Sequence, residues 1–275
     1  IGEFQTESFF KVEAQFQRDD GSLFKAKLPK RFNSYDDAKL FLEKCLGAQF
    51  KISKLEKKPA QKSPSPPFTT STLQQEASRK LYYPVGRTMS LAQRLYEAGF
   101  ITYMRTVSVN LSEQAKAGAK QEIITEYGPN FHKERNYKGK SKGAQEAHEA
   151  IRPTDFSRRE VPAEYDQQRL YELIWRRAIA SQMSNAQLER TTVRVSANTH
   201  SEQFVARGEM IKFEGFLKVY LEGNDDEEEE KDGLLPNIVE GETVDAKYIE
   251  STQGYTRPPS RYTEAALVKK LEELG

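Results

Sequence analysis

The sequence predicts an α+β chain of more than one domain, with an all-helical domain inserted into a mixed, mainly β domain. Three observations carry that expectation. Apolar and polar residues alternate towards both ends of the chain, at Phe10, Val12, Ala14 and Phe16 and again at Thr191, Val193, Val195 and Ala197. Between these stretches the apolar spacing turns helical, as in Leu170, Leu173, Ile174, Ala178 and Ile179. The composition also breaks at residues 58–67, which hold four prolines and no large apolar side chain.

Taken in order, the first strand spans Phe10 to Phe16, Asp20-Gly21 supplies a turn, and Phe24, Ala26 and Leu28 make a second strand. Ser34 with Asp37 three residues on marks a helix start, Ala38, Phe41, Leu42 and Cys45 form its apolar face, and Gly47 stops it. Phe50 and Ile52 resume a strand. After the proline-rich crossover, helical spacing fills residues 69–81, 90–98, 112–127 and 165–183, with Gly86, Gly99 and Gly128 at ends or turns. Strands are expected again at residues 191–197, 204–205 and 216–221. A turn through Gly254 and Pro258-Pro259 leads to a helix at residues 262–274 whose apolar face lacks a partner, so the natural protein is expected to continue beyond it.

Composition narrows the function classes. The 275 residues are 37% hydrophobic and 30% charged, which suits a globular protein with a hydrophilic surface. No apolar run is long enough to cross a bilayer and no signal-peptide pattern opens the chain, so membrane partners are not expected and the cytoplasm is. Cys45 stands alone, which excludes internal disulfides and cysteine zinc sites. The net charge of +1 hides an uneven distribution. Residues 225–230 are six consecutive acids, read as a solvated hairpin tip, and Lys133, Arg135, Lys138, Lys140 and Lys142 form a basic loop interrupted only by Glu134.

One stretch carries chemistry: Phe100-Ile101-Thr102-Tyr103-Met104-Arg105-Thr106, placed just after the helix stop Gly99. It sets a phenol and a guanidinium close together on a loop. Breaking a phosphodiester through a covalent intermediate needs a nucleophile and a cation for the phosphoryl oxygens. A free phenol has a pKa of about 10, so it needs positive neighbours or a base to attack at neutral pH. On spacing alone, a tyrosine near an arginine is more often packing.

The stretch does not stand alone. Phe68-Thr69-Thr70-Ser71-Thr72-Leu73-Gln74-Gln75-Glu76-Ala77 precedes it, followed by Thr88-Met89-Ser90-Leu91-Ala92-Gln93-Arg94-Leu95-Tyr96-Glu97. Ala147-His148-Glu149-Ala150-Ile151-Arg152-Pro153-Thr154 comes after it, then Phe213-Glu214-Gly215-Phe216 and a run from Pro258 to Val268. This ordered set resembles the type IA topoisomerases of bacteria, over essentially the whole chain. The resemblance implies a β-rich arch or hinge domain at residues 1–66 and 188–255, a helical, winged-helix-like domain at 67–187, and the start of a single-strand-binding domain at 256–275. It implies that Tyr103 cuts one DNA strand through a 5′-phosphotyrosine and later reseals it, that Arg105 positions the scissile phosphate, and that His148 supports DNA binding. Arg152, Arg79 and Arg87 are candidate phosphate contacts or plain salt bridges, and Arg261 and Glu264 resemble residues of the single-strand groove. The expected partner is single-stranded or underwound DNA, met by a monomer, with no small-molecule substrate. Pro64 and Leu188 are candidate hinges.

Two departures stand out. The family reads Thr-Asp-Ser after the arginine, whereas this chain has Thr106-Val107-Ser108. The family's Mg²⁺ site is built from acids in a preceding domain, and no Asp-x-Asp-x-Glu arrangement occurs here, so no metal is expected in this chain and no relaxation of DNA by it alone. His132 and His200 do not make ligand spacing with His148. A non-enzymatic, helix-turn-helix-like nucleic-acid-binding module is the alternative, with Tyr103 as packing. A tyrosine recombinase would need a scattered arginine and histidine pattern that the chain lacks.

Overall fold

A computed structural model describes residues 4–138, 149–223 and 234–274. The chain divides into two compact units, one of residues 1–60, 188–212 and 230–261 and one of residues 61–187, 213–229 and 262–275. The acidic run at 225–230 and the basic-loop residues Lys140 and Lys142 lie outside the described residues.

The first unit is a closed six-stranded barrel. Its strands are β1 (Ser8–Gln17), β2 (Leu23–Lys27), β3 (Phe50–Lys62), β4 (Ala186–Ala197), β5 (Phe204–Phe213) and β6 (Thr243–Tyr255), in the order β1-β2-β5-β4-β3-β6 with β6 returning to β1. Closure pairs the strand edges that an open sheet would expose. The alternation read from the sequence is the alternation of burial: Val12, Ala14 and Phe16 point inward beside exposed Lys11 and half-buried Glu13 and Gln15. Phe16 is fully buried, its ring 5.7, 5.2 and 5.6 Å from those of Phe24, Phe50 and Phe204. Helix α1 (Tyr35–Cys45) starts where Ser34 accepts the Asp37 N–H and buries Ala38, Phe41 and Cys45. The Cys45 thiol lies 3.6 Å from Nε2 of the buried His200, and burial pushes it up to about 11.

Of the two readings of residues 58–67, linker or ordered crossover, the second holds: residues 58–62 continue β3 through Pro59, and the change of unit falls after Ala60. One expectation fails in this unit. Gly254 lies inside β6 opposite Phe9, where a Cβ would come within 2.6 Å of the phenyl ring; the glycine makes room for that ring and does not begin a turn.

The second unit is helical: α2 (Thr70–Leu81), α3 (Val85–Glu97), α4 (Glu113–Tyr127), α5 (Tyr165–Ser181) and α6 (Glu264–Leu274). Thr69 and Thr72 form a reciprocal capping box at α2, and Ser112 caps α4. Helix α3 starts at Val85, earlier than its apolar spacing suggested, because Glu264 accepts the Val85 N–H at 3.0 Å. Helix α6 lies along α2, with Ala265 buried and Ser71 Oγ donating to Glu272 at 2.7 Å, while Leu267, Leu271 and Leu274 stay exposed.

The strand expected at 216–221 is a 3-10 turn, Gly215–Lys218, because its buried Phe216, Val219 and Tyr220 follow helical spacing. It leads into a buried ionic cluster. Glu76 accepts from Tyr220 Oη at 2.6 Å, from the Gly223 N–H at 3.1 Å and from Arg79 at 3.2 Å. Arg177, nearly inaccessible, donates to Glu222 at 2.6 Å and to the Pro66 carbonyl, its guanidinium 4.8 Å from the Phe68 ring centre. Burial and the Glu76 carboxylate drive the Tyr220 hydroxyl far above its ordinary value, although Arg177 opposes them. Partners arranged this way satisfy charges that would be costly if left single.

The 3-10 turn depends on one backbone conformation. Gly215 has φ +51° and a Cβ there would stand 2.4 Å from the Asn185 carbonyl oxygen. Gly215→Ala should destabilise the helical unit by about 1–3 kcal/mol through strain and displaced backbone. Urea denaturation followed by Trp175 fluorescence checks this; an unchanged midpoint refutes it.

Candidate active site

The Tyr103 stretch is fixed at both ends. Helix α3 closes in a Schellman arrangement, with the Gly99 N–H on the Tyr96 carbonyl at 2.9 Å and the Phe100 N–H on the Leu95 carbonyl at 2.9 Å. Gly99 supplies the left-handed turn this requires, φ +77°. The chain then passes two neighbours, bending at Met104. On one side, Ile101 bridges Pro153, and the Thr102 N–H reaches the Arg152 carbonyl at 2.9 Å. The Thr102 hydroxyl donates to the Ala150 carbonyl at 2.7 Å and accepts the Arg152 N–H at 3.0 Å. On the other side, the Thr70 hydroxyl donates to the Met104 carbonyl at 2.8 Å and accepts the Thr106 N–H at 2.9 Å, while the Thr70 N–H bonds the Thr106 carbonyl at 2.9 Å.

Held on both sides, the segment alternates in burial along its length. Met104, Thr106 and Ser108 are buried, whereas Tyr103, Arg105 and Val107 are exposed, Tyr103 at 44%. The pattern leaves both the phenol and the guanidinium open to solvent. The Tyr103 ring also has a neighbour: Tyr96 on α3 meets it edge-on, centroids 5.2 Å apart at 65°. Such a pair contributes about 0.5–1.5 kcal/mol and restricts the swing of the ring. Val107, likewise exposed, touches nothing that explains why it replaces an acid.

The remaining predicted residues fall into three places. His148 lies outside the described residues. Arg152 is held inward: Nη2 and Nε grip the Glu149 carboxylate at 2.6 and 3.2 Å, and Nη1 donates to the Pro153 carbonyl at 2.9 Å. Arg87 pairs with Asp166 and lies 4.8 Å over the Tyr83 ring, Arg79 pairs with Glu76, and Glu264 caps α3. Arg261 is exposed and belongs to the barrel unit. Four contributors escaped the sequence reading: Thr70, Thr102, Tyr96 and Glu149. Thr70 and Glu149 stand inside the distinctive stretches, but nothing in spacing shows that a hydroxyl two helices away will clamp a loop.

Among the described residues, no group of three His, Cys, Asp or Glu side chains comes together to hold a metal ion. No described helix is long and apolar enough to cross a membrane.

An inward-fixed segment presenting a tyrosine and an arginine, in a helical unit joined by the chain to a six-stranded barrel, defines a protein built around a surface phenol. Comparison with known proteins gives this class its family. The chain is 50% identical over 233 residues to DNA topoisomerase 1 of Zymomonas mobilis subsp. mobilis, covering 82% of this chain and 19% of the relative. It is 42% identical over 298 residues to DNA topoisomerase 1 of Rickettsia felis, covering all of this chain and 38% of the relative. The structure of full-length topoisomerase I from Thermotoga maritima matches with a TM-score of 0.82 and 31% identity, over 100% of this chain and 45% of that one. With the family model described as DNA topoisomerase matching residues 1–275, the chain belongs to the DNA topoisomerase family, in its bacterial type IA branch. It spans well under half the length of these relatives.

Glu149 supports the site from below and gives a pH test. Burial works to raise its carboxyl, but the Arg152 guanidinium and the Ser112 N–H outweigh burial and hold it below the usual carboxylate range. A depressed folded value means that its stabilisation is complete above the unfolded carboxyl pKa of about 4.3 and is lost as pH falls through the folded value. Glu149→Gln should therefore cost about 1.5–3 kcal/mol near neutral pH, with the gap to the parent closing in acid. Denaturation midpoints across the range from pH 7 to acid check it; a gap independent of pH contradicts the ion pair.

Proposed function

We propose that this chain carries the strand-cutting tyrosine of a type IA DNA topoisomerase, an ATP-independent isomerase that relaxes negatively supercoiled DNA. One observation carries the reading: Tyr103 and Arg105 are both exposed on a segment whose backbone is clamped on both sides. In this reading Tyr103 Oη attacks a backbone phosphorus. The new bond is a phosphotyrosine ester at the 5′ end, the P–O3′ bond breaks, and the phenol's proton is balanced by the one that the departing 3′ oxygen gains. Arg105 offsets charge on the non-bridging oxygens in both directions of the reaction. The ester keeps the energy of the cut bond while the intact strand passes, and the 3′-hydroxyl reverses the step.

The type IA reading also implies Mg²⁺, and the described residues offer no set that fits it. We therefore assign that ion to a part of the full-length protein outside this chain. His148 next to the Glu149–Arg152 pair, and Arg261 at the exposed end of the barrel unit, are the proposed DNA contacts beyond the phenol, with a winged-helix-like helical unit bearing the phenol, and with single-stranded or underwound DNA bound by a monomer in the cytoplasm.

The test uses the longer protein that contains this chain, Mg²⁺ and end-labelled single-stranded DNA, denatured after incubation. Protein-linked label should appear with the parent and vanish with Tyr103→Phe while DNA binding persists. Persistence of the linked label in Tyr103→Phe defeats the assignment. Arg105→Ala should lower the rate of adduct formation by about 10²–10³-fold, the usual cost of removing one preorganised donor to developing charge. This chain alone should leave supercoiled DNA unrelaxed on an agarose gel.

A further inference from the structure

The barrel unit carries a second feature that strand cutting does not use. Four cations gather on one side of it: Lys11 on β1, Lys30 and Arg31 after β2, and Lys44 in the last turn of α1. Two observations link them. Lys30, Arg31 and Lys44 line a single open cavity of about 290 Å³, together with Phe32, Asn33 and Leu40. Lys11 and Arg31 share one ring, lying 5.6 and 4.4 Å from the centre of Phe9, and Lys30 lies 5.3 Å from that of Phe32. Phe9 is seated there by Gly254, whose missing side chain leaves the space that the ring fills.

These cations have no carboxylate partner among the described residues. Arg18, Arg87, Arg152 and Arg177 are each matched to a carboxylate. None of Lys11, Lys30, Arg31 and Lys44 forms an ion pair among the described residues, and all four are exposed. Two acids also face the cavity. Asp37 lies in the first turn of α1, and Glu202 has its carboxylate 3.7 Å from His200 Nδ1. Positive charge still exceeds negative, and the aromatic rings beneath hold the cations outward without neutralising them.

We propose that this patch binds the phosphodiester backbone of a DNA strand, at a site separate in the fold from Tyr103. The proposal rests on DNA being the partner, as in the reading above. Several unpaired cations around one cavity suit a row of phosphates, and Asn33 offers a neutral donor beside them. Exposed Tyr35, whose ring meets Phe10 edge-on at 6.2 Å, gives a base a face to stack on.

The test titrates this chain against a fluorescein-labelled oligothymidylate over a range of salt concentrations. Each phosphate neutralised on a single strand contributes about 0.7 to the slope of log K against log salt. The triple variant Lys30→Gln, Arg31→Gln and Lys44→Gln should flatten that slope by about 2 and weaken binding at low salt, while circular dichroism stays unchanged. If the triple variant unfolds, single variants at these exposed positions should each remove about 0.7. An unchanged slope in folded variants overturns the proposal, as does full competition by inorganic phosphate at millimolar concentration, which marks a site for a small anion. Tyr103→Phe separates this idea from the preceding one. It should leave the slope unaltered while abolishing the covalent adduct in the longer protein, so either result can fail without the other.

Discussion

The site depends on a backbone constraint more than on any side-chain contact. Residues 101–106 have no helix or full strand of their own, and their peptide groups must still find partners. Thr70 provides two donors and one acceptor from one residue, and the segment around Ala150 to Pro153 provides the rest. Once both edges are occupied, the burial of alternate residues decides which side chains face solvent. Met104 and Thr106 go in, so Tyr103 and Arg105 must come out. The phenol is thus mobile only about its own side-chain bonds, and Tyr96 narrows even that freedom. A nucleophile that must attack and later be released from the same phosphorus benefits from returning to one position each time.

How well the sequence foretold the molecule varied with the range of the interactions involved. Alternation over Phe10–Phe16 and 191–197 gave strands, the Ser34 cap gave a helix start, and helical spacing gave the helices near 69–81 and 112–127, because those signals are local. Closure of six strands into a barrel was hidden, since it needs the pairing of β1 with β6 across most of the chain. Residues 216–221 misled because five apolar residues interrupted only by Lys218 favour a strand, while Gly215 at positive φ turns them into a 3-10 segment. At the site, the exposed loop was legible from the glycine stop and the Thr-Tyr-x-Arg order. The clamp was not, because Thr70 and Glu149 act through backbone bonds across more than thirty positions.

Both units pair some cations with carboxylates and leave others exposed. In the helical unit, arginines fasten the structure: Arg152 grips Glu149, Arg177 grips Glu222, and Arg87 grips Asp166. Removing either member of such a pair leaves an uncompensated charge, so these guanidiniums serve the fold whatever else they touch. In the barrel unit, Arg18 is likewise paired with Glu242, while Lys11, Lys30 and Arg31 stand over aromatic rings with no ion pair among the described residues.

The chain's one thiol has a practical meaning. Cys45 is packed into the barrel core beside His200, and burial lifts it to about 11. Only the thiolate reacts with maleimides or iodoacetamide, so at neutral pH the native molecule behaves as though it carried no cysteine. A single cysteine placed on the surface, beside Tyr103 or on either unit, becomes the sole reactive handle. A fluorophore attached there can then report on its own surroundings while DNA is bound, without first stripping the protein of its natural sulfhydryl.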